Sequence, residues 1–360
     1  MRTGGFSVNL ILTLLVITNL NANGMREEPL WDTSRSLPTP EGLSGMVAGV
    51  SHNVLIVAGG CNFSKPVSAG GEKLFYDEIY VAMDPERLNW ECVGKLPKAV
   101  ANAAVVPVAN GLLVMGGING ESVLDDVFFM YWDDAGQCIR VEDTFPHLPY
   151  PVESLSATCL DDTIYVAGGR TADGNVQRNF WRLGSNKTGG IASGQWEELP
   201  PWPGPCRAGA ALLSQVTDGR VFMYLAGGKG SDYLNDMYRY EPFGGTWLSL
   251  AAIPRPAYYS TVVAGSGPYL MLFSGSDGHD ATRAIALGDN YHMPTDGYCY
   301  LTTEDRWTPI GDLSVGVAGA SAVRWGEKLI VLGGELRPGV RTSVIQVSRI
   351  ADWKTRITKK

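Results

Sequence analysis

Charged side chains are scarce in this sequence, and those present are mostly acidic. Asp, Glu, Lys and Arg make up 18% of the 360 residues, and the formal net charge is −8. No basic stripe interrupts this balance, so nucleic acid is excluded as the expected partner. An anionic ligand would need a local positive pocket within an acidic protein.

Histidine and cysteine, common ligands of transition metals, are also few and scattered. The four histidines lie far apart, and no CxxC pair or other metal-ligand spacing occurs. We therefore expect no metal and no cofactor. The even number of cysteines permits disulfides in an exported protein, but buried free thiols fit equally well. The six are Cys61, Cys92, Cys138, Cys159, Cys206 and Cys299.

Long apolar runs are missing except at the N-terminus. Arg2 supplies a basic start, Val8 to Leu20 is mostly apolar but short for a bilayer, and Ala22-Asn23-Gly24 offers small residues for cleavage. We interpret residues 1–24 as a cleaved signal peptide, which would leave no membrane segment in the mature protein. An uncleaved membrane anchor is the alternative.

Glycine, in contrast, is abundant at 44 residues, and it marks an internal repeat. A short apolar strand that ends in a double glycine recurs six times, about every 50 residues. In the fifth copy Ser274 replaces one glycine. The six double positions are 59–60, 116–117, 168–169, 227–228, 274–275 and 333–334.

Each copy has the same neighbours. A small-residue strand precedes it, and an aromatic-rich strand and then a tryptophan strand follow, with Trp90, Trp196, Trp247 and Trp307 in four of the units. This four-strand unit resembles the Kelch repeat and implies an all-β, six-bladed β-propeller over residues 25–360. The expected blades cover about residues 44–96, 101–145, 153–200, 207–251, 257–311, and 317–349 together with 29–36.

The last blade needs a fourth strand. The segment around Trp31 resembles the tryptophan strand of a blade, so we predict that the N-terminal strand closes blade six and removes a free sheet edge. A closing strand around Trp353 is the alternative.

Residues that directly follow each double glycine should meet at one mouth of such a ring. They are Cys61, Ile118, Arg170, Lys229, Ser276 and Glu335. Near them we expect Asn119 and Asp277, and at the starts of first strands Glu153 and Arg207. The cations Arg170, Lys229 and Arg207 suit a small carboxylate-bearing ligand. Alternatively, these charges simply neutralise one another in a wet channel.

The sixth copy carries the best candidates for chemistry. Glu335 follows the double glycine, and Arg341 comes after a Pro338-Gly339 turn that folds the two charges toward one another. Such a pair can bind an acidic ligand and move protons on it. It can equally be an ordinary surface ion pair.

The segment Gly333-Gly-Glu-Leu-Arg-Pro-Gly-Val-Arg-Thr342 resembles the Gly-Glu-x-x-Pro-Gly-x-Arg-Thr motif of periplasmic N-acetylneuraminate epimerases, also called sialic acid mutarotases. In those enzymes the counterpart of Glu41 to Val50 comes after this motif rather than before it, so the chain resembles the cyclically permuted branch. The resemblance implies an isomerase without cofactor, with N-acetylneuraminate as substrate. Glu335 would be the general acid/base, and Arg341 would hold the sugar carboxylate.

Three other functions compete. Many Kelch propellers bind a protein or a sugar without catalysis. A sialidase would share the six blades, but no Ser-x-Asp-x-Gly-x-x-Trp box occurs. A Kelch-type copper oxidase needs convergent histidines, which are not at equivalent blade positions. The exact acidic sugar stays open, and so does formation of a homodimer.

Overall fold

The computed structural model describes residues 30–184, 194–265 and 267–358. The predicted signal peptide, residues 1–24, lies outside this part of the chain. Within the described ranges, no helix combines the length and the hydropathy that crossing a membrane requires. The six cysteines all lie in the described part, and none of them forms a disulfide.

Six four-stranded antiparallel sheets form the protein, and each is one blade of a β-propeller. The predicted all-β, six-bladed fold is confirmed. In chain order the strands are β1 (Asp32–Ser36), β2 (Val47–Ser51), β3 (Val54–Ala58), β4 (Cys61–Phe63), β5 (Lys73–Phe75), β6 (Glu78–Ala82), β7 (Trp90–Lys95), β8 (Ala104–Val108), β9 (Gly111–Met115), β10 (Val127–Asp133), β11 (Cys138–Glu142), β12 (Ser156–Leu160), β13 (Thr163–Ala167), β14 (Phe180–Leu183), β15 (Trp196–Glu198), β16 (Ala211–Thr217), β17 (Arg220–Ala226), β18 (Met237–Glu241), β19 (Thr246–Ser249), β20 (Thr261–Ala264), β21 (Tyr269–Phe273), β22 (Gly297–Leu301), β23 (Arg306–Pro309), β24 (Ser321–Trp325), β25 (Lys328–Leu332), β26 (Glu335–Arg337), β27 (Val340–Arg341) and β28 (Val344–Arg349). The α-helices of the described residues are α1 (Ala284–Leu287) and α2 (Ile350–Thr358).

Blades 2 to 5 use four consecutive strands, whereas the hairpin β4–β5 interrupts blade 1 and the N-terminal strand completes blade 6. Blade 1 consists of β2, β3, β6 and β7, blade 2 of β8–β11, blade 3 of β12–β15, blade 4 of β16–β19 and blade 5 of β20–β23. Blade 6 has the order β24, β25, β28, β1. Two small hairpins, β4–β5 and β26–β27, project from blades 1 and 6.

The core consists of apolar layers between neighbouring blades. The second strands are mostly apolar and lie between two layers; in β3, for example, all five residues are buried. Trp247 of blade 4 fixes the spacing to the blade before it, because its indole N–H donates a hydrogen bond to the Pro200 carbonyl at 2.9 Å. Trp90, Trp196 and Trp307 make equivalent bonds to the preceding blade's terminal segment.

A closed ring of backbone hydrogen bonds surrounds the central channel. The residue two positions before each first strand has φ between 52 and 64°. Its N–H donates to the carbonyl of the equivalent residue one blade back at 2.8–3.0 Å. Every N–H in the ring is therefore satisfied, which is what a buried left-handed turn requires. The six residues are Gly45, Asn102, Ser154, Gly209, Tyr259 and Gly319.

The N-terminal strand closes the last blade, as the sequence predicts. β1 pairs with β28, and Asp32 lies opposite Val347. The alternative closing strand is wrong, because Trp353 belongs to helix α2. Its ring instead lies 5.5 Å from Trp31 and 5.0 Å from Phe273 of blade 5.

We predict that Trp31→Ala lowers the free energy of unfolding by about 3–5 kcal/mol, the usual cost of removing a fully buried tryptophan side chain. Trp31 is 2% exposed and contacts both Phe273 and Trp353, so its loss also loosens the closing strand. Urea unfolding followed by tryptophan fluorescence and circular dichroism measures the change. Phe243→Ala is the control, because Phe243 is fully exposed. Equal midpoints for the two variants would contradict the role of Trp31.

Candidate functional site

A cavity of about 320 Å³ opens at one mouth of the central channel. The residue after each double glycine reaches the cavity region because it forms a backbone bridge within its own blade. Its bridge partner is the residue directly before that blade's member of the hydrogen-bond ring. The six bridged pairs are Ser44–Cys61, Ala101–Ile118, Glu153–Arg170, Ala208–Lys229, Tyr258–Ser276 and Ala318–Glu335. Four of these pairs, from blades 1, 3, 5 and 6, line the cavity. Its charged lining residues are Lys73, Glu153, Arg170, Glu335 and Arg341.

The double glycine of blade 6 explains how Glu335 comes so close to the axis. Gly333 and Gly334 have φ values of 57 and 105°, and a Cβ on Gly334 would lie 2.9 Å from the Cβ of Val317. A larger residue would push the chain away from the neighbouring strand. Glu335 can then form its bridge, in which its N–H donates to the Ala318 carbonyl at 2.7 Å.

The hairpin β26–β27 holds Glu335 and Arg341 side by side. The two residues are directly opposite in its register, and their side chains form an ion pair. The Arg341 guanidinium lies 5.2 Å above the Phe63 ring and is only 6% exposed, whereas Glu335 is 23% exposed. This is a half-enclosed pair on the wall of a cavity, and an ordinary surface ion pair is much more exposed.

Burial raises the pKa of Glu335 above its ordinary value, although Arg341, the Gly339 backbone N–H and Lys73 each act to lower it. Desolvation of the carboxylate therefore outweighs the attraction of the neighbouring cations. A glutamate with a raised pKa can both accept and donate a proton closer to neutral pH. Such a group suits general acid/base chemistry.

Other parts of the cavity lining come from blades 2, 3 and 5. Glu153 accepts a hydrogen bond from the Asn102 side-chain amide at 3.0 Å. Burial raises the pKa of Tyr258 to about 12, so its phenol stays protonated and can donate a hydrogen bond. Tyr259 lies in the hydrogen-bond ring, and its hydroxyl is bonded to that of Ser154.

The predicted binding residues differ in how close they lie to the cavity. Arg170 and Glu153 line the cavity. Lys229 lies next to it, with its ammonium 4.4 Å from the ring centre of the lining residue Tyr233. Asn119 does not line the cavity; its side chain accepts from two backbone N–H groups of its own turn. Asp277 does not line the cavity either, and its side chain accepts a hydrogen bond from the backbone N–H of His279.

The prediction that Arg207 binds ligand at the mouth is wrong. Its side chain is completely buried and forms an ion pair with Asp236 at 2.7 Å. The guanidinium lies between the rings of Trp202 and Tyr238, at 5.2 and 5.4 Å. Arg207 therefore stabilises the interior of the propeller.

Several lining residues escape the sequence analysis. Tyr258 is equivalent to Glu153, because each directly precedes the ring member of its blade. An alignment of the starts of the first strands would therefore have indicated Tyr258 as a lining residue. Lys73 and Pro338 belong to the projecting hairpins and Met293 to the long segment of blade 5, which have no counterpart in the repeat. The described residues contain no cluster of three or more His, Cys, Asp or Glu side chains placed to bind a metal ion.

Comparison with known proteins agrees with the fold. A family model described as the KLHDC2/KLHL20/DRC7 Kelch-repeats domain matches residues 45–275 and 102–334. The solved structure titled "Structure of YjhT" superposes with a TM-score of 0.63 at 16% sequence identity, over 87% of this chain and 96% of that one.

Curated relatives carry the name N-acetylneuraminate epimerase, among them proteins from Haemophilus influenzae and Yersinia pestis. The protein from Haemophilus influenzae (strain PittEE) is 25% identical over 229 residues, which is 56% of this chain and 58% of the relative. The protein from Yersinia pestis (strain Pestoides F) is 26% identical over 233 residues, or 56% and 57%. The chain thus matches a little over half the length of these relatives, and the cyclic permutation stays a prediction.

The raised pKa of Glu335 predicts a pH dependence of stability. The folded chain keeps a proton on Glu335 to higher pH than the unfolded chain does, so the folded state binds more protons between the two pKa values. The stabilisation is fully present below the unfolded pKa of about 4.3 and is lost as pH rises through the folded value. Relative to Glu335→Gln, the wild type should therefore lose stability across this window.

Chemical unfolding of both proteins at a series of pH values measures this difference. Glu121→Gln serves as the control, since Glu121 lies on an exposed turn. A difference between wild type and Glu335→Gln that grows more favourable to the wild type with rising pH would contradict the raised pKa.

Proposed function

This chain belongs to the family of KLHDC2/KLHL20/DRC7 Kelch-repeat domains. We propose that it is a mutarotase, an isomerase that interconverts the anomers of N-acetylneuraminate. The pairing of Glu335 with Arg341 inside the cavity is the observation that supports this proposal most strongly. The names of the two curated relatives point to the same sugar.

The reaction needs only proton transfers. A proton leaves the anomeric hydroxyl, the bond between the anomeric carbon and the ring oxygen breaks, and the ring oxygen takes up a proton. The former ring oxygen, now a hydroxyl, then attacks the ketone on its other face and gives up its proton, while the ketone oxygen takes up a proton and becomes the anomeric hydroxyl again. Glu335 takes the proton from the anomeric hydroxyl and later gives it back, while water or a second polar group protonates the ring oxygen.

Arg341 holds the substrate carboxylate beside Glu335. Its Nε has no hydrogen-bond acceptor among the described residues, so the guanidinium keeps donor capacity beyond its ion pair. Lys73 adds a second positive charge to the same side of the cavity, because it also acts on Glu335 electrostatically. A carboxylate bound here has its anomeric carbon, one bond away, within reach of Glu335.

Glu335→Gln should lower kcat by about 10²–10⁴-fold, the usual contribution of a general acid/base. Arg341→Ala should raise KM and lower kcat as well, since it removes the carboxylate contact and changes the surroundings of Glu335. Exchange NMR between the two anomers of N-acetylneuraminate measures the rate above the uncatalysed background.

A matched control pair lies on the same blade. Glu327 and Arg324 form an exposed ion pair at 3.8 Å, so Glu327→Gln and Arg324→Ala should leave the rate unchanged. Undiminished catalysis by both cavity variants would refute the proposed roles. Saturable binding of the sugar by a wild type that does not accelerate exchange would instead identify a non-catalytic sugar-binding propeller.

We also propose that residues 1–24 are a signal peptide that directs the protein to the periplasm. The proposal rests on the basic start, the short apolar run and the small residues at Ala22 to Gly24. The full sequence expressed in a Gram-negative host should yield a periplasmic protein whose measured mass lacks these residues. A membrane-bound product of full mass would indicate the uncleaved anchor.

A further inference from the structure

Glu153 and Arg170 are neighbours on blade 3 that do not pair with one another. They form one antiparallel backbone bridge, with hydrogen bonds of 2.8 and 2.9 Å between their main chains. Side chains at such a bridge lie on the same face of the strand pair. Yet neither side chain forms an ion pair within the described part of the chain. Both line the cavity, so their charges are available to a ligand.

Each of the two side chains keeps hydrogen-bonding capacity. The Arg170 Nε is shielded from solvent and has no acceptor among the described residues. The Glu153 carboxylate accepts one side-chain hydrogen bond, from Asn102 to its Oε2. A guanidinium only donates and a carboxylate only accepts, so together they fit a ligand group that offers both an acceptor and a donor.

This pair lies across the channel from Glu335 and Arg341. The backbone hydrogen-bond ring runs through the blades in order, from Gly45 of blade 1 to Gly319 of blade 6. Blades 3 and 6 are three steps apart in a ring of six and therefore face one another. Both charged pairs line the same cavity of about 320 Å³, so one small ligand can touch both.

The chemistry of N-acetylneuraminate fits this arrangement. Its anomeric carbon, C2, carries the hydroxyl and the carboxylate, and C5 lies on the opposite side of the six-membered ring. C5 carries the acetamido group, whose carbonyl accepts a hydrogen bond and whose N–H donates one. With C2 directed to Glu335 and Arg341, the acetamido group points toward blade 3. The carboxylate cannot reach both sides, because it is bonded to C2.

We propose that Arg170 and Glu153 form the subsite that recognises the 5-acetamido group, with Arg170 donating to its carbonyl and Glu153 accepting from its N–H. This inference rests on the proposed mutarotase function. It makes the two residues determinants of substrate specificity, whereas Glu335 and Arg341 act at the anomeric centre.

The test compares two sugars. One is N-acetylneuraminate, and the other is its analogue with a hydroxyl in place of the 5-acetamido group. Exchange NMR gives kcat/KM for both. Arg170→Met should lower kcat/KM for N-acetylneuraminate by about 10- to 100-fold, as expected for a lost hydrogen bond to a charged donor, and should hardly change it for the analogue. Arg170→Lys, which keeps a charged donor, should restore part of the preference.

Arg178→Met is the matched control, because Arg178 is exposed and belongs to the same blade outside the cavity lining. Equal loss with both sugars, or no loss with either, would overturn the inference. Should Arg170→Met fail to fold, Glu153→Gln carries the same comparison, since the amide oxygen is the weaker acceptor. A wild type that accelerates exchange of neither sugar would refute the mutarotase function itself, which separates the two failures.

Discussion

The ring of six hydrogen bonds between equivalent backbone groups is the constraint on which the rest of the molecule depends. Its members have left-handed conformations, and three of them, Asn102, Ser154 and Tyr259, are not glycine. A non-glycine residue in this region costs on the order of 1–2 kcal/mol, comparable to the cost of one unsatisfied buried N–H. The ring persists because each turn satisfies its neighbour's carbonyl. The ring fixes where every first strand begins. It therefore brings the residue directly before each ring member to the mouth of the channel.

Side-chain alternation explains both the success and the errors of the sequence analysis. The double glycines located the ring of inner residues, and the Pro338-Gly339 turn indicated the pairing of Glu335 with Arg341. Arg207, however, is one residue away from the equivalent position, which Ala208 occupies. Neighbouring residues of an extended chain point in opposite directions, so Arg207 faces the interior. Asn119 and Asp277 are likewise one residue beyond the bridged positions, and their side chains stabilise turns.

The electrostatics of the cavity reflect a competition between burial and charge. The protein as a whole is acidic, but the cavity lining has three cations and two carboxylates. An isolated buried carboxylate would have a strongly raised pKa, and an exposed carboxylate beside arginine would have a lowered one. Glu335 experiences both effects, and burial prevails. The neighbouring cations oppose this rise in pKa, and a raised pKa favours a carboxylate that must take up and return the same proton.

Part of the cavity wall comes from segments that break the repeat, and periodicity could not predict this part. The β4–β5 hairpin contributes Lys73, and the segment of blade 5 that follows Ser276 contributes Met293. This blade 5 segment is joined to the β26–β27 hairpin by the ion pair of Asp289 with Arg337 at 2.5 Å. Because Asp289 is 90% exposed, this pair adds little stability, and packing of the segment holds the wall instead. The repeat therefore sets the positions of Glu335, Glu153 and Arg170. The inserted segments bring Arg341 beside Glu335 and set the shape of the space between the two opposed charged pairs. Changes in those segments can alter which acidic sugar fits while the proton chemistry of Glu335 stays the same.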